Sequence, residues 1–169
     1  MTAYVAFLRA VNVGGTGKLP MSELRAMCEA LGFTGVRTYI ASGNVVFESR
    51  LTEASVKTKL EASLAQYAGK PVGVLVRSGA ELAAVLAANP FPDAAPNRTV
   101  AIFLDTRPPA DTISRASGQQ GEDIALGTRE IYVHYGQGMA KTKLRIPAAA
   151  AGTARNMNTI ATLVEWTAP

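Results

Sequence analysis

The order in which the hydrophobic period switches along the first 88 residues most constrains the fold. Ala3–Val11 is rich in Val, Phe and Leu and reads as a buried strand. From Met21 the period becomes helical. Met21, Leu24, Met27, Cys28 and Leu31 share one face, with Pro20 before them and Gly32 after, in start and stop positions. Val36–Ala41 and Asn44–Glu48 are β-rich and flank Ser42-Gly43-Asn44, which has turn chemistry, so the pair reads as a hairpin. Thr52 can cap a second helix with Val56, Leu60 and Leu64 on its apolar face. Val72–Arg77 is a further strand, and Ser78 with Glu81 makes a capping box for a third helix over Gly79–Ala88. Strand, helix, strand, strand, helix, strand is the split βαβ, or ferredoxin-like, order.

The proline-rich stretch NPFPDAAPN, Asn89–Asn97, interrupts that pattern. Beyond it, Thr99–Asp105 reads as a strand and Pro109–Ala116 as a short helix. Glu122–Leu126 and Glu130–Tyr135 form a hairpin around Gly127-Thr128. Asn156–Trp166 is a final helix with Met157, Ile160, Leu163 and Val164 on its apolar side. The expected fold class is α+β: two ferredoxin-like (α/β-plait) units, the second shorter, packed as one compact molecule. Residues 1–88 form the first unit, 89–98 a linker, and 99–169 the second, degenerate unit. The repeat rests on element order alone.

With 48% hydrophobic and 18% charged residues, the chain has enough apolar material for a packed core. Its apolar runs are far shorter than a membrane span. MTAYVAFLRAV has no basic lead-in or small-residue cleavage site and reads as a strand, not a signal peptide. The single cysteine, Cys28, excludes an intramolecular disulfide. A cytoplasmic protein is expected. The formal net charge of +4 permits an acidic partner without requiring one.

LRAVNVGGTGKL, Leu8–Leu19, runs from a strand into a glycine loop and invites comparison with phosphate-binding motifs. A P-loop, G-x-x-x-x-G-K-[ST], aligned on Gly17-Lys18 would need glycine at Asn12 and a hydroxyl at Leu19. The dinucleotide fingerprint fails as well, because Pro20 stands where its third glycine belongs. Neither motif is present. The loop's physics remains: Gly14, Gly15 and Gly17 allow close backbone approach, a helix start lies nearby, and Asn12 and Lys18 can contact an anion. Turning the chain between strand and helix would also account for these glycines.

Arg37 and Tyr39 share one strand face, opposite Val36, Thr38 and Ile40, and Arg9 lies on the face of Val5 and Phe7. An open sheet face of basic and aromatic residues is one way split βαβ modules hold RNA. The alternative is that this face packs on the second half, with the arginines at its rim. The C-terminal third is the most basic region, with Arg129, Lys141, Lys143, Arg145 and Arg155. Within Gly152–Thr159, Asn156 or Asn158 is a natural helix cap, and Arg155 beside a helix start makes an anion site. A well-capped helix with solvated lysines is the plainer reading.

No established catalytic set is visible. His134 shares a strand face with Tyr132, and Cys28 falls on an apolar helix face, where a neutral thiol belongs. One cysteine and one histidine cannot build a zinc site. The acidic residues are scattered, so no carboxylate metal cluster is indicated. No cofactor is implied.

FLRAVNVGGTGKLPMSEL, TYIASGNVVFES, ANPF, EIYVHYGQGMAKTKL and GTARNMNTIATL together resemble the bacterial family called domain of unknown function 1697. The resemblance spans nearly the whole chain and rests on Arg9, Asn12–Gly15, Tyr39–Val45 and Arg155–Thr159. Met157 stands where many members have tryptophan, and Ala10 where glycine is common. The resemblance implies two α/β-plait units and supplies no activity. It suggests one site built from the glycine loop, the SGN turn and the RNxNT segment: Arg9, Asn12, Gly14, Gly15, Lys18, Arg37, Tyr39, Ser42, Gly43, Asn44, Lys141, Lys143, Arg155, Asn156, Asn158 and Thr159. The partners expected of such a site are an anionic small molecule, such as a phosphometabolite, or nucleic acid. No membrane partner is expected. An enzymatic alternative would use Tyr39, Tyr135 or His134 for proton transfer. A third is a protein-interaction module.

Overall fold

The computed structural model describes residues 1–9, 19–39, 43–136 and 142–169. The described residues form two four-stranded antiparallel sheets and four α-helices, an α+β fold. The chain groups into two compact units, Met1–Leu82 with Leu163–Pro169, and Ala83–Thr162. The units do not follow the chain linearly, because its last residues belong with the first unit.

The first unit contains β1 (Thr2–Leu8), α1 (Met21–Ala30), β2 (Thr34–Tyr39), β3 (Asn44–Ser49), α2 (Glu53–Ala68) and β4 (Val74–Ser78). Its strands lie in the order β2-β3-β1-β4. The period of two along β1 sends Tyr4, Ala6 and Leu8 into a core with Leu24 and Cys28 of α1 and Val56, Leu60 and Leu64 of α2. Phe33 stacks on Phe47 in the same core, with ring centroids 4.3 Å apart. Val5, Phe7, Val46, Leu75 and Arg77 are also buried.

Local chemistry sets the helix ends. Thr52 accepts from Ser55 N at 3.2 Å to open α2, and Gly69 closes it in the left-handed conformation at φ 71°. The helix α3 (Gly79–Ala87) begins with the expected capping box: Ser78 N donates to Glu81 Oε1 at 3.0 Å, and Glu81 N donates to Ser78 Oγ at 3.1 Å.

The second unit carries β5 (Thr99–Phe103), β6 (Asp123–Leu126), β7 (Glu130–His134), β8 (Thr153–Asn156) and the start of α4 (Met157–Thr167). Its order, β6-β7-β5-β8, is the permutation seen in the first sheet. Val100, Ile102, Leu104, Ile131 and Val133 form its core, covered by Leu144, Ile146, Ala148 and Ala149 where the first unit uses helices.

Two sequence expectations change here. Pro109–Ala116 is a series of hydrogen-bonded turns, with Thr112 N on Pro109 O at 3.1 Å and Arg115 N on Asp111 O at 3.0 Å, not a helix. Among these residues only Thr112 is buried, so no apolar face pays for a helix. The sequence reads Gly152–Thr159 as the entry to the last helix, whereas its Thr153–Asn156 portion is the edge strand β8. Its pairing with β5 decides its conformation, and four residues of mixed polarity carry no strand period of their own.

Candidate functional site

The described flanks of two motif segments, Leu8–Arg9 and Gly43–Asn44, meet at one end of the first sheet. Phe7 pairs with Asn44, and Leu8 N donates to Gly43 O at 2.9 Å. The chain therefore leaves β1 at Arg9 beside the turn that precedes β3. On the other side of Arg9, its backbone N donates to Gly73 O at 2.9 Å. A Cβ on Gly73 would lie 3.0 Å from Arg9 Cδ, so the half-buried Arg9 side chain runs close over this residue. Gly43 adopts φ 85°, which favours glycine at this position of the turn. Asn44 is fully buried and donates from Nδ2 to Tyr39 O at 3.0 Å, so this amide braces the hairpin from within. Asn12, Gly14, Gly15, Lys18, Ser42 and Lys141 lie outside the described residues.

Arg37 and Tyr39 do share a strand face, and a residue that the sequence reading did not single out meets them there. Trp166, near the end of α4, stands with its ring centroid 3.7 Å from Arg37 Cζ, a cation–π contact. Its indole also meets the Tyr39 ring edge-on at 5.2 Å and 79°. This stretch of sheet thus carries an aromatic of the same unit beside its basic residue. The available signal was that Trp166 is the chain's single tryptophan, placed one residue from the end of an amphipathic helix.

The third motif belongs to the second unit. Arg155 is 9% exposed and donates from Nη1 to Thr153 Oγ1 and to Ala154 O, both at 2.9 Å. Burial pulls its pKa down to about 10, leaving it charged at neutral pH. Asn156 is the helix cap, accepting from Thr159 N at 2.9 Å through Oδ1. Thr159 is buried and Asn158 exposed. Lys143 is exposed, and its carbonyl packs against Gly118.

A neighbouring carboxylate also escaped the sequence reading. Glu122 is buried, accepts from Thr142 Oγ1 at 2.7 Å and from Gln120 N, and so ties residues 120–122 to the segment that carries Lys143. The Thr142 hydrogen bond, followed by that from Gln120, holds its pKa below the usual carboxylate range.

Of the proton-transfer candidates, Tyr39 packs against Trp166, Tyr135 packs on the core of the second unit and His134 lies beside a carboxylate. His134 Nδ1 lies 3.7 Å from Asp123 Oδ2, its cross-strand neighbour. Burial, with Glu122 second, raises the Tyr135 pKa. Among the described residues, no three of His, Cys, Asp and Glu come together as a metal site. No helix of the described residues is long and apolar enough to cross a membrane.

At the opposite end of the first sheet lies a cleft of about 450 Å³, bounded by Ala3, Gly35, Glu48, Ser78 and Trp166. Glu48 is the only charged side chain among its lining residues, so the cleft offers no side-chain cation to an anion.

A search of curated proteins finds no match to this chain. Among solved structures, the chain is similar to the conserved bacterial protein SP0830 from Streptococcus pneumoniae, with a TM-score of 0.80, 24% sequence identity and 98% of each chain covered. That likeness bears on the fold. A family model described as protein of unknown function (DUF1697) matches residues 1–132, which include the glycine loop and the SGN turn and end before the RNxNT segment. The match spans well over half of the sequence, and the chain belongs to the DUF1697 family.

Proposed function

We propose that this chain is a binding protein for a phosphate-bearing or other anionic ligand, held where the glycine loop and the SGN turn leave the first sheet. The observation that supports the reading is the Leu8 N to Gly43 O bond, which joins the end of β1, next to Arg9, to the glycine that precedes β3. Arg9 would supply charge, with Lys18 from the loop. Asn12 and the backbone amides of Gly14, Gly15 and Gly43 would supply hydrogen bonds. Within the larger set expected from the sequence, Arg155, Asn156 and Asn44 have hydrogen bonds to their own strands and turns, which supports supporting roles for them. The proposed setting is the cytoplasm, on the strength of a single, buried thiol.

The enzymatic reading has less support. Tyr39 packs on Trp166, and His134 faces Asp123 across a hairpin.

A thermal-shift screen against nucleotides, phosphometabolites and short RNA and DNA tests the proposal. A ligand at a hundred times its Kd should stabilise the native state by about 2.7 kcal/mol. Arg9→Gln should abolish the shift. Affinity for nucleic acid should fall steeply with salt, whereas affinity for a small phosphate compound should fall gently. No shift with any anionic ligand at low salt would end the reading.

A further inference from the structure

The sheet edges of this protein are treated unequally. On β4, an edge strand, two side chains of α2 occupy the outer backbone groups: Val74 N donates to Glu61 Oε2 at 3.1 Å, and Lys57 Nζ donates to Val74 O. On β2, the opposite edge, the register breaks between Thr34 and Arg37, and Gly35 sits at φ 60°. On β8, the Arg155 guanidinium covers the carbonyl of Ala154. Charged side chains and bulges of this kind keep strand edges from pairing with other chains.

The fourth edge, β6, carries one exposed charge, Asp123, but among the described residues no side chain bonds to its outward backbone groups and no bulge breaks it. Its register with β7 is regular from Asp123 to Leu126. Gly127 N donates to Glu130 O at 2.8 Å, so residues 127 and 130 form a hydrogen-bonded pair. Antiparallel pairs alternate, so Ala125 and Asp123 bond to β7 while the N–H and C=O groups of Ile124 and Leu126 point to the free edge. No other hydrogen bond to these groups is made by the described residues. Leu126 is 37% exposed, and Ile124 is half-buried against the core of its unit.

We propose that this edge pairs with β6 of a second copy of the chain, antiparallel and centred on Ala125. The outward groups permit that register: Ile124 exchanges both hydrogen bonds with Leu126 of the partner subunit, and Leu126 with Ile124 of the partner subunit. Its side chains are self-complementary. Ile124 meets Leu126 on the core face, Ala125 meets its own copy on the other, and Asp123 meets Gly127. The two Asp123 carboxylates lie four residues apart along the strands, about 14 Å, so no like charges face each other. A four-residue strand buries little area, and the product is a weak, concentration-dependent dimer.

Sedimentation velocity and amide hydrogen exchange on the full chain, from micromolar to millimolar, test this. The mean mass should rise towards twice the monomer, and the Ile124 and Leu126 amides should gain protection in step. Leu126→Lys should weaken association at least about tenfold, with unfolding midpoints confirming the fold. Tyr67→Lys, at an exposed apolar residue of α2 remote in sequence from this edge, should leave association unchanged. A mass that stays monomeric to millimolar concentration overturns the proposal, as does a dimer indifferent to Leu126→Lys or equally lost in Tyr67→Lys. Protection of the two amides without a rise in mass also overturns it, because another segment of the same chain would then hold the edge.

Discussion

Arg77 and Arg155 occupy the same position in the two sheets. Arg77 pairs with Val5 on the last strand of the first sheet, and Arg155 with Ala101 on the last strand of the second. Each donates from Nη1 to the carbonyl of the residue before it, Val76 and Ala154, at 2.9 Å. Each is followed at once by a helix cap, Ser78 or Asn156. The RNxNT arginine therefore has a structural counterpart in Arg-Ser-x-x-Glu, which adds residue-level correspondence to the repeat expected from element order.

Both guanidiniums are buried, so truncation should leave a carbonyl without its donor. Arg77→Met and Arg155→Met should each cost about 3 kcal/mol in urea unfolding. Lysine should not restore the loss, because a point charge does not reproduce the fork. A cost below about 1 kcal/mol would show that the contacts are incidental.

Trp166 reports on the docking of its own helix end, since it is the only tryptophan. Arg37→Ala should cost about 0.5–1 kcal/mol and change the intrinsic fluorescence of the folded protein. An unchanged emission spectrum would place the guanidinium off the indole in solution.

Two glycines separate strain from space. Gly118 and Gly121 both have positive φ, 71° and 88°. A Cβ on Gly118 would lie 2.1 Å from Lys143 O, whereas one on Gly121 meets nothing within 4 Å. Gly121→Ala should cost about 1 kcal/mol through backbone conformation alone. Gly118→Ala should cost clearly more and detach the 142–145 segment, seen as faster amide exchange at Ser117 and Arg145, which now pair.

Glu122 should shape the acid limb of stability. Its folded pKa is depressed, so the stabilisation is complete above the ordinary value near 4.5 and is lost as pH falls through the folded value. Thr142→Val removes the largest cause and should move this loss to higher pH. Identical acid limbs for the two proteins would refute the role.

Burial pushes the Cys28 thiol up to about 12, with Glu29 adding to the effect. The native protein should be inert to thiol reagents at pH 8 and react only on unfolding. Labelling faster than global unfolding would reveal local opening of α1.

The sequence alone determined most elements of the first unit, because there local and global signals agree. The 3.6 period of Leu24 and Cys28, the Thr52 cap, the Ser78–Glu81 box and the alternation in β4 each act over a few residues, and packing reinforces all of them. It also excluded the P-loop and dinucleotide motifs through Asn12, Leu19 and Pro20, since those motifs are local. Tertiary structure alone decided what depends on residues distant in the chain. Thr153–Asn156 became a strand because β5 offered it an edge. Trp166 reached Arg37 because the end of α4 returns to the first unit. The end of β1 and the glycine that precedes β3 became neighbours through the Leu8–Gly43 bond, between residues 35 positions apart. Contacts of that separation carry no periodic signature, because they are selected by the whole sheet and not by the residues on either side.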